Sequence, residues 1–448
     1  MDLTQHMQTD ELLILQQPIH GGVDDMDECF DESLEEGATG VAPSKHAKTS
    51  VGSAVFSYLC TCVGAGVLSL PGALQYCGWS GLILMAIVAL MCNETAKMLC
   101  ACMFSRPGVM LRSYEDIGEQ AYGKTGRRIV ALFQVITLFG VCTIFLILIG
   151  GNMNTLVSRL TLHDWIFVFA ALLIPIAWLK TMSEVSVLAI FGVLASLFVA
   201  GVVVVKGFVR AADPHVDVEY EVFNGRGLPN AVNIIVFSFG GHSVLPNIVS
   251  HVERPRSNYA RVSSWSYLLI ALIYGVTAAG GYAGWGTHTE DKVLDNMDEG
   301  SIVVKLAYAF ITAHVVLAYP IPLNPMSLAI ERSLGIDQRH GLAELVPRVV
   351  SRTCLVLLTV LVASVVPYFG DILSLVSALS IVVVVFVLPP LFYYRLFQPV
   401  RRFGPLAKAK MLAIVAFGVA ASGIGIYFAI KDLVHDIRKN PNPFEDYF

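Results

Sequence analysis

The 448-residue chain is 55% hydrophobic and only 15% charged, against roughly 25% charged residues in an ordinary soluble domain. A globule of this size cannot hide so much apolar side chain behind so few charges, so a soluble enzyme, a nucleic-acid surface and a secreted disulfide scaffold are poorly supported. The net charge of −5 sums a tail and many loops and selects no partner.

Residues 1–47 are set apart. They hold Asp10, Glu11 and the acidic run from Asp24 through Glu36, with no Lys or Arg before Lys45. That composition predicts a disordered acidic tail on the cytosolic side, and the tail is the natural place for a protein partner. No apolar run follows a basic start, so no cleaved signal peptide is expected. The Leu12-Leu13-Ile14-Leu15 patch beside Asp10 and Glu11 has the look of a sorting signal, a pattern that is also common by chance.

Eleven apolar segments follow and read as membrane spans: 51–75, 79–103, 127–151, 163–180, 183–207, 229–252, 264–286, 301–323, 350–367, 371–394 and 407–430. Each is long enough to cross about 30 Å of hydrocarbon at about 1.5 Å per residue. The close pairs 163–180/183–207 and 350–367/371–394 are the weakest boundaries. With a cytosolic N-terminus, twenty of the thirty Lys and Arg fall on the cytosolic side and eight on the other, the asymmetry that orients membrane proteins. The C-terminus then lies outside the cytosol, as does the acidic loop at 287–300 (Glu290, Asp291, Asp295, Asp298, Glu299).

Two segments carry an unusual interruption. The first span reads Thr61-Cys62-Val63-Gly64-Ala65-Gly66-Val67-Leu68-Ser69-Leu70-Pro71, and the sixth reads Phe237-Ser238-Phe239-Gly240-Gly241-His242-Ser243-Val244-Leu245-Pro246-Asn247. Each has a glycine pair and then a proline five residues after the second glycine. An unwound turn at mid-membrane frees N–H groups that attract a carboxylate and C=O groups that attract an ammonium or a cation. Close helix packing by small residues is the plainer explanation of such glycines. Two breaks five spans apart favour a transport site. The offset predicts an all-α polytopic membrane protein of 11 transmembrane helices, an inverted 5+5 repeat plus an eleventh helix. Repeat one covers about 51–207, repeat two about 229–394 and the extra helix 407–430, inside a transporter domain at 48–431 with a short non-cytosolic tail at 432–448.

The run from Gly64 to Pro71, followed by Gly78-Trp79, resembles the first-helix signature of the amino acid/auxin permease family, within the amino acid–polyamine–organocation superfamily. The segment Gly240-Gly241-His242 through Pro246-Asn247 is similar to that of its vacuolar-type neutral amino acid transporters. The resemblance covers roughly residues 48–431 and implies a secondary transporter of amino acids, by symport with H⁺ or Na⁺ or by proton-driven antiport. It also implies contacts at matching positions. Gly64, Ala65, Gly66 and Val67, with Thr61 before them, fall where a substrate carboxylate meets the second half-helix. Ser238 and Phe239, with Gly241, fall where the ammonium and side chain lie. Central faces of the third and eighth spans offer Gln134, Thr137, Tyr308 and Thr312.

Charges inside a membrane are costly and therefore informative. Glu94 and Lys97 share a helix face at i,i+3 and read as a structural or gating pair. Lys305 can snorkel from the start of its span, and Glu184 sits by an interface. His242 borders the sixth-span break and His314 lies mid-span eight, so both are ion-coupling candidates as well as candidate buried braces. Neither break carries an acidic residue, which argues against a cationic substrate. The expectation is a transporter of neutral amino acids coupled to H⁺, with Na⁺ possible through Thr312. Other readings are an auxin-like organic acid carrier and a transporter-like amino acid sensor. No continuous polar lining supports a channel. No cofactor or metal is expected: eight of the nine cysteines lie in or beside apolar segments without a closed ligand spacing, and no nucleophile, zincin or phosphate-loop motif is present. The membrane expected is vacuolar, lysosomal or plasma.

Overall fold

The computed structural model describes residues 49–178, 185–336, 338–339, 341–400 and 402–439, with the side chains of 185–190 excluded. The acidic tail, its Leu12–Leu15 patch, Glu184 and residues 440–448 lie outside the described residues.

Helix α1 (Val51–Cys62) starts at Ser50, whose hydroxyl accepts the Ser53 N–H at 3.2 Å. A short 3₁₀ turn (Ala65–Leu68) and helix α2 (Leu70–Cys77), with Pro71 in its first turn, complete the first apolar segment. Helix α3 (Ser80–Cys102) follows. Helix α4 (Tyr114–Leu156) is capped by Ser113, carries Glu115 and Asp116 in its first turn, and kinks at Tyr122-Gly123, where Gly123 has φ of 63°. Acidic residues in a first turn favour the helix dipole, and glycine tolerates the left-handed kink. Helix α5 (Leu162–Ala177) opens on a capping box between Thr161 and Asp164. Helix α6 (Val185–Ala211) precedes a second interrupted segment, α7 (Leu228–Phe239) and α8 (Leu245–Ser250). Then come α9 (Pro255–Trp285), α10 (Ile302–Ala318), α11 (Pro320–Ser333) and α12 (Leu342–Val365). Helix α13 (Phe369–Val376) widens into π turns at Ser377–Ile381 and Val383–Val387 before α14 (Leu388–Phe397). Helix α15 (Pro405–Lys439) is the last of the described helices, and it continues past the expected domain limit at 431.

The expected count is corrected by this architecture. Among the described residues eight helical segments are long and apolar enough to cross a membrane: 80–102, 114–156, 191–211, 255–288, 302–333, 342–365, 369–397 and 405–439. The eleven-span inverted 5+5 repeat with an eleventh helix is therefore not the fold found. Three of the eleven expected spans are shorter apolar helices, α1, α5 and α7, of 12, 16 and 12 residues. At about 1.5 Å per residue none reaches about 30 Å. For α1 and α7 the physical reason is that apolar content continues through the glycines and proline while the helix does not: hydropathy counts side chains, and these breaks are made by the backbone.

Two consequences place the site. Helix α9 packs along α1, α2, α3 and α6, and α7 packs against α2, α13 and α15, so both interrupted segments are enclosed. Thr49 pairs with Val252 as a β-bridge, which joins the start of α1 to the chain just past α8. Glycines let α6 and α9 meet backbone to backbone: a Cβ on Gly284 would come within 2.6 Å of Gly207 Cα.

Candidate functional site

The first break runs from Val63 to Ser69. Val63 closes α1 with an N–H bond to Leu59 O, and Val67 and Ser69 then bond back to Gly64 and Gly66 carbonyls as tight turns. In the second, Gly240 and Gly241 donate to Phe237 and Phe239 carbonyls, and Val244 donates to Gly241. A proline enters the first turn of each following helix, where its missing N–H costs nothing.

The two breaks touch. The Ser238 hydroxyl lies 3.3 Å from Gly66 O and 3.0 Å from Ile234 O, and a Cβ built on Gly66 would come within 2.8 Å of Ser238 Oγ. The same construction on Gly241 meets the Tyr58 hydroxyl at 2.5 Å and Cys62 Sγ at 2.6 Å. Tyr274 of α9 joins the two breaks: its hydroxyl donates to Cys62 O at 2.6 Å and lies 3.0 Å from Ser238 O. Phe239 packs edge-on against the Tyr274 ring at 5.2 Å and stacks with Tyr267 at 6.4 Å. Of the residues expected here, Gly66, Ser238, Phe239 and Gly241 come together, with Ala65 and Val67 buried behind them. Thr61 does not join them; it is exposed and bonds the Ser57 carbonyl of its own helix.

His242 is fully buried and bonded on both ring nitrogens. Nε2 is 2.9 Å from Thr95 Oγ1, and Nδ1 is 3.2 Å from the Tyr267 hydroxyl, itself 2.7 Å from the Tyr58 hydroxyl. Thr95 Oγ1 lies 3.1 Å from both the Met91 and the Cys92 carbonyls, so its proton is committed to them. Thr95 then accepts from His242, which places the ring hydrogen on Nε2 and leaves Nδ1 to accept from Tyr267. His314 lies elsewhere: its Nδ1 is 3.1 Å from Ser196 Oγ, and its ring sits between Gly192 of α6 and Gly64, at 2.7 and 3.6 Å from Cβ atoms built on them.

Tyr308 and Thr312 of α10 belong to a second polar cluster. Thr312 Oγ1 accepts from Asn152 Nδ2 at 3.1 Å, and Asn152 Oδ1 accepts from Lys292 Nζ at 3.1 Å. Lys292 pairs with Asp295 at 2.8 Å, lies over the Tyr308 ring at 5.3 Å, and shares Asp295 Oδ1 with the Tyr308 hydroxyl at 2.7 Å. Lys292 is 8% exposed although it comes from the loop after α9. Thr137 turns to the π turn, donating to Ser380 Oγ at 2.9 Å, and Gln134 is half-buried on the same helix. Glu94 pairs with Lys410 of α15, while Lys97 remains half-buried on α3. Asn152, Lys292 and Tyr274 were missed by the sequence reading. A lysine in an acidic loop looks solvated, and a tyrosine in an apolar helix looks like core.

At the end of the bundle where α2 finishes, Tyr76 donates to Asp291 Oδ1 at 3.1 Å. Burial pushes the Asp291 carboxyl up to about 6; the Tyr76 bond opposes this, and Glu290, Asp436 and Asp432 add like charge. Among the described residues no group of three or more His, Cys, Asp or Glu is placed to hold a metal ion.

Comparison with known proteins agrees with the motifs. Residues 47–431 match the family described as transmembrane amino acid transporter protein. The chain is similar to amino acid transporter AVT1B of Arabidopsis thaliana, at 27% identity over 87% of this chain and 72% of that protein. It is 29% identical to amino acid transporter AVT1J of the same plant, over 86% of this chain and 92% of the relative. The vesicular inhibitory amino acid transporter of Xenopus tropicalis is 26% identical over 84% of this chain and 74% of its own length. With a family match across most of its length and two interrupted helices meeting inside an all-helical apolar bundle, the chain belongs to the transmembrane amino acid transporter protein family and is a polytopic membrane protein of amino acid transport, not an enzyme.

Proposed function

We propose that the protein moves neutral amino acids by alternating access, coupled to protons, with its substrate held between the two breaks. The observation that carries this is the contact of Gly66 with Ser238, which sets the backbone of both interrupted helices around one point. A substrate carboxylate would take the N–H groups from Gly64 to Gly66, and the ammonium would take carbonyls such as Cys62 O and Ser238 O, now held by Tyr274. The absence of an acidic residue from 61–71 and 237–247 favours a neutral side chain, since a cationic one would arrive without a counter-charge. Phe239, enclosed between the Tyr267 and Tyr274 rings, supplies an apolar wall.

The similarity of the second break to vacuolar-type transporters supports a vacuolar or lysosomal membrane. The basic-residue asymmetry supports a cytosolic N-terminus, with 1–47 as a separate tail and 48–431 as the transport unit. Purified full-length protein in proteoliposomes, offered a panel of radiolabelled amino acids under separately imposed pH and Na⁺ gradients, tests the reading. Uphill accumulation of neutral amino acids on the pH gradient alone is expected. Accumulation that requires Na⁺ and ignores the pH gradient would overturn the proton assignment, and uptake confined to an indole acid would overturn the substrate class.

A further inference from the structure

The bundle end that holds the C-terminal part of α15 contains carboxyl groups that the substrate site does not use. Asp371, in the first turn of α13, is 8% exposed, and its Oδ2 has no hydrogen-bond partner. A buried carboxylate oxygen without a donor is costly, and the cheapest remedy is a proton. Asp291 comes alongside from the loop after α9: its carboxylate lies against Gly370, next in the chain to Asp371, where a Cβ would collide with it, and like charge couples the two carboxyls. The same loop rests on α2, because a Cβ on Gly72 would meet Glu290 O at 3.1 Å and Asp291 Cα at 3.2 Å. Asp291 thus connects the second half of the first interrupted helix, through Tyr76, to the start of α13.

We propose that Asp291 and Asp371 form a proton-binding site at the ends of α2, α13 and α15, and that this pair takes up the coupling proton. The proposal deepens the proton-coupled reading above and rests on it for the word coupling. The groups facing the pair come from each neighbouring element. Tyr76 projects from α2, Glu290 from the same loop, and Asp432 and Asp436 from α15, while Tyr368 precedes α13 and donates to Asp436 O at 3.3 Å. Asn230 of α7 donates to Asp432 at 2.5 Å. The nearest lysine in sequence, Lys292, is committed to Asp295 and Asn152. Lys431, His435 and Arg438 line a separate groove on α15 with Tyr427 and Ile430. The pair is therefore surrounded by acids and hydroxyls. Crowded carboxyls hold a proton between them because both cannot ionise cheaply. The Asp291 carboxyl, held at about 6, releases and regains its proton within the range that an acidic compartment spans. Proton loss would add a charge beside Asp371 while strengthening the Tyr76 bond to Asp291, so the loop is pushed from the start of α13 and held to α2, which is how occupancy reaches the break.

Infrared difference spectroscopy on the full-length protein in detergent, titrated from pH 4 to 8, tests the site without requiring transport. Wild type is expected to show a protonated carboxyl band that disappears with a midpoint near 6. The band should shrink in Asp291→Asn and in Asp371→Asn, and persist in Asp371→Glu, which shows that fold is retained. In proteoliposomes the pH midpoint of gradient-driven uptake should move by about one unit or more in Asp371→Glu. An unchanged band in both Asn variants would overturn the proposal, as would displacement of the band by Na⁺ or Ca²⁺ at constant pH. If wild type accumulates no amino acid on any gradient, the coupling reading fails, while the titration still decides whether the pair binds a proton.

Discussion

Ser238 Oγ and Gly66 O lie 3.3 Å apart, so the two interrupted helices meet through a side chain of one and the bare backbone of the other. Gly66 is needed for space: its missing Cβ would lie 3.2 Å from Ser238 Cα as well as 2.8 Å from the hydroxyl. Backbone is what such a site exposes to a ligand, and a methyl group at this point pushes the two exposed backbones apart. Gly66→Ala is expected to weaken substrate binding by about tenfold, and Gly66→Val to abolish it while membrane-inserted protein persists. Binding of a radiolabelled amino acid to purified variants checks this; unchanged affinity in a well-folded Gly66→Val protein would remove the breaks from the site.

Tyr274 stands between the same two segments. One hydroxyl serves the carbonyls of Cys62 and Ser238, and the ring supports Phe239. Tyr274→Phe keeps the ring and removes the donor, leaving two buried carbonyls short of a partner. A stability loss of about 1–3 kcal/mol is expected, read as a lower thermal midpoint in detergent. Substrate ammonium competes for the same carbonyls, so saturating amino acid should recover part of that loss in the variant.

Much of this site was legible in the residues. Gly64 to Pro71 and Gly240 to Asn247 announced their breaks because glycine and proline act on their own backbone, within a few positions. The partners of those breaks were not legible. Tyr274, Tyr58 and Thr95 lie on other helices, and nothing local distinguishes them from the core. Tyr308 and Thr312 were identified as pocket residues from their place in mid-span. The structure commits Tyr308 to Asp295, and Thr312 to Asn152, which in turn holds Lys292 from a loop that looks solvated in sequence. The eleven-span count failed for a related reason: continuous apolar composition at 51–75 and 229–252 hides helices of only 12 residues.

Lys292 joins α4 to α10 through Asn152, Thr312, Asp295 and Tyr308. Lys292→Met strands Asp295, which is 41% exposed, and the buried Asn152 amide. The expected cost is about 1–3 kcal/mol, below that of a fully buried pair because Asp295 can turn to water. Adding Asp295→Asn should restore part of it. A double-mutant cycle by chemical or thermal unfolding reads the coupling, and strict additivity would show that the pair does not interact in the protein.

Asp291 makes the stability of the loop depend on pH. Its carboxyl is raised to about 6 in the folded chain, above its ordinary value of about 3.9. A raised value means the folded state holds the proton more tightly. The resulting stabilisation is complete below about 3.9 and is lost as pH rises through about 6. Asp291→Asn cannot titrate, so the variant should gain on wild type between pH 4 and 6 and then run parallel. Thermal midpoints of both proteins across that range check the sign; a variant that loses ground on wild type as pH rises would contradict it.

The histidine at the second break gives a separate prediction. His242 donates from Nε2 to Thr95 and accepts at Nδ1 from Tyr267, which in turn accepts from Tyr58. Adding a second ring proton would turn Nδ1 into a donor facing the Tyr267 hydroxyl. Tyr267 and Tyr58 would both have to reverse, inside a site where all three side chains are almost fully buried. The neutral form already satisfies every group in this hydrogen-bonded series, and among the described residues no carboxylate pairs with His242. His242 is therefore expected to act as a brace that fixes the turn at Gly240-Gly241, with proton transfer left to the carboxyls. His242→Gln keeps a donor toward Thr95 and an acceptor toward Tyr267, so it should still accumulate substrate on a pH gradient, with affinity lower by about tenfold or less. Tyr267→Phe should resemble it, because both remove order from the same turn. Proteoliposomes carrying each variant, compared by pH-driven accumulation and by counterflow exchange, make the distinction. Exchange without accumulation in His242→Gln would return the proton to the histidine.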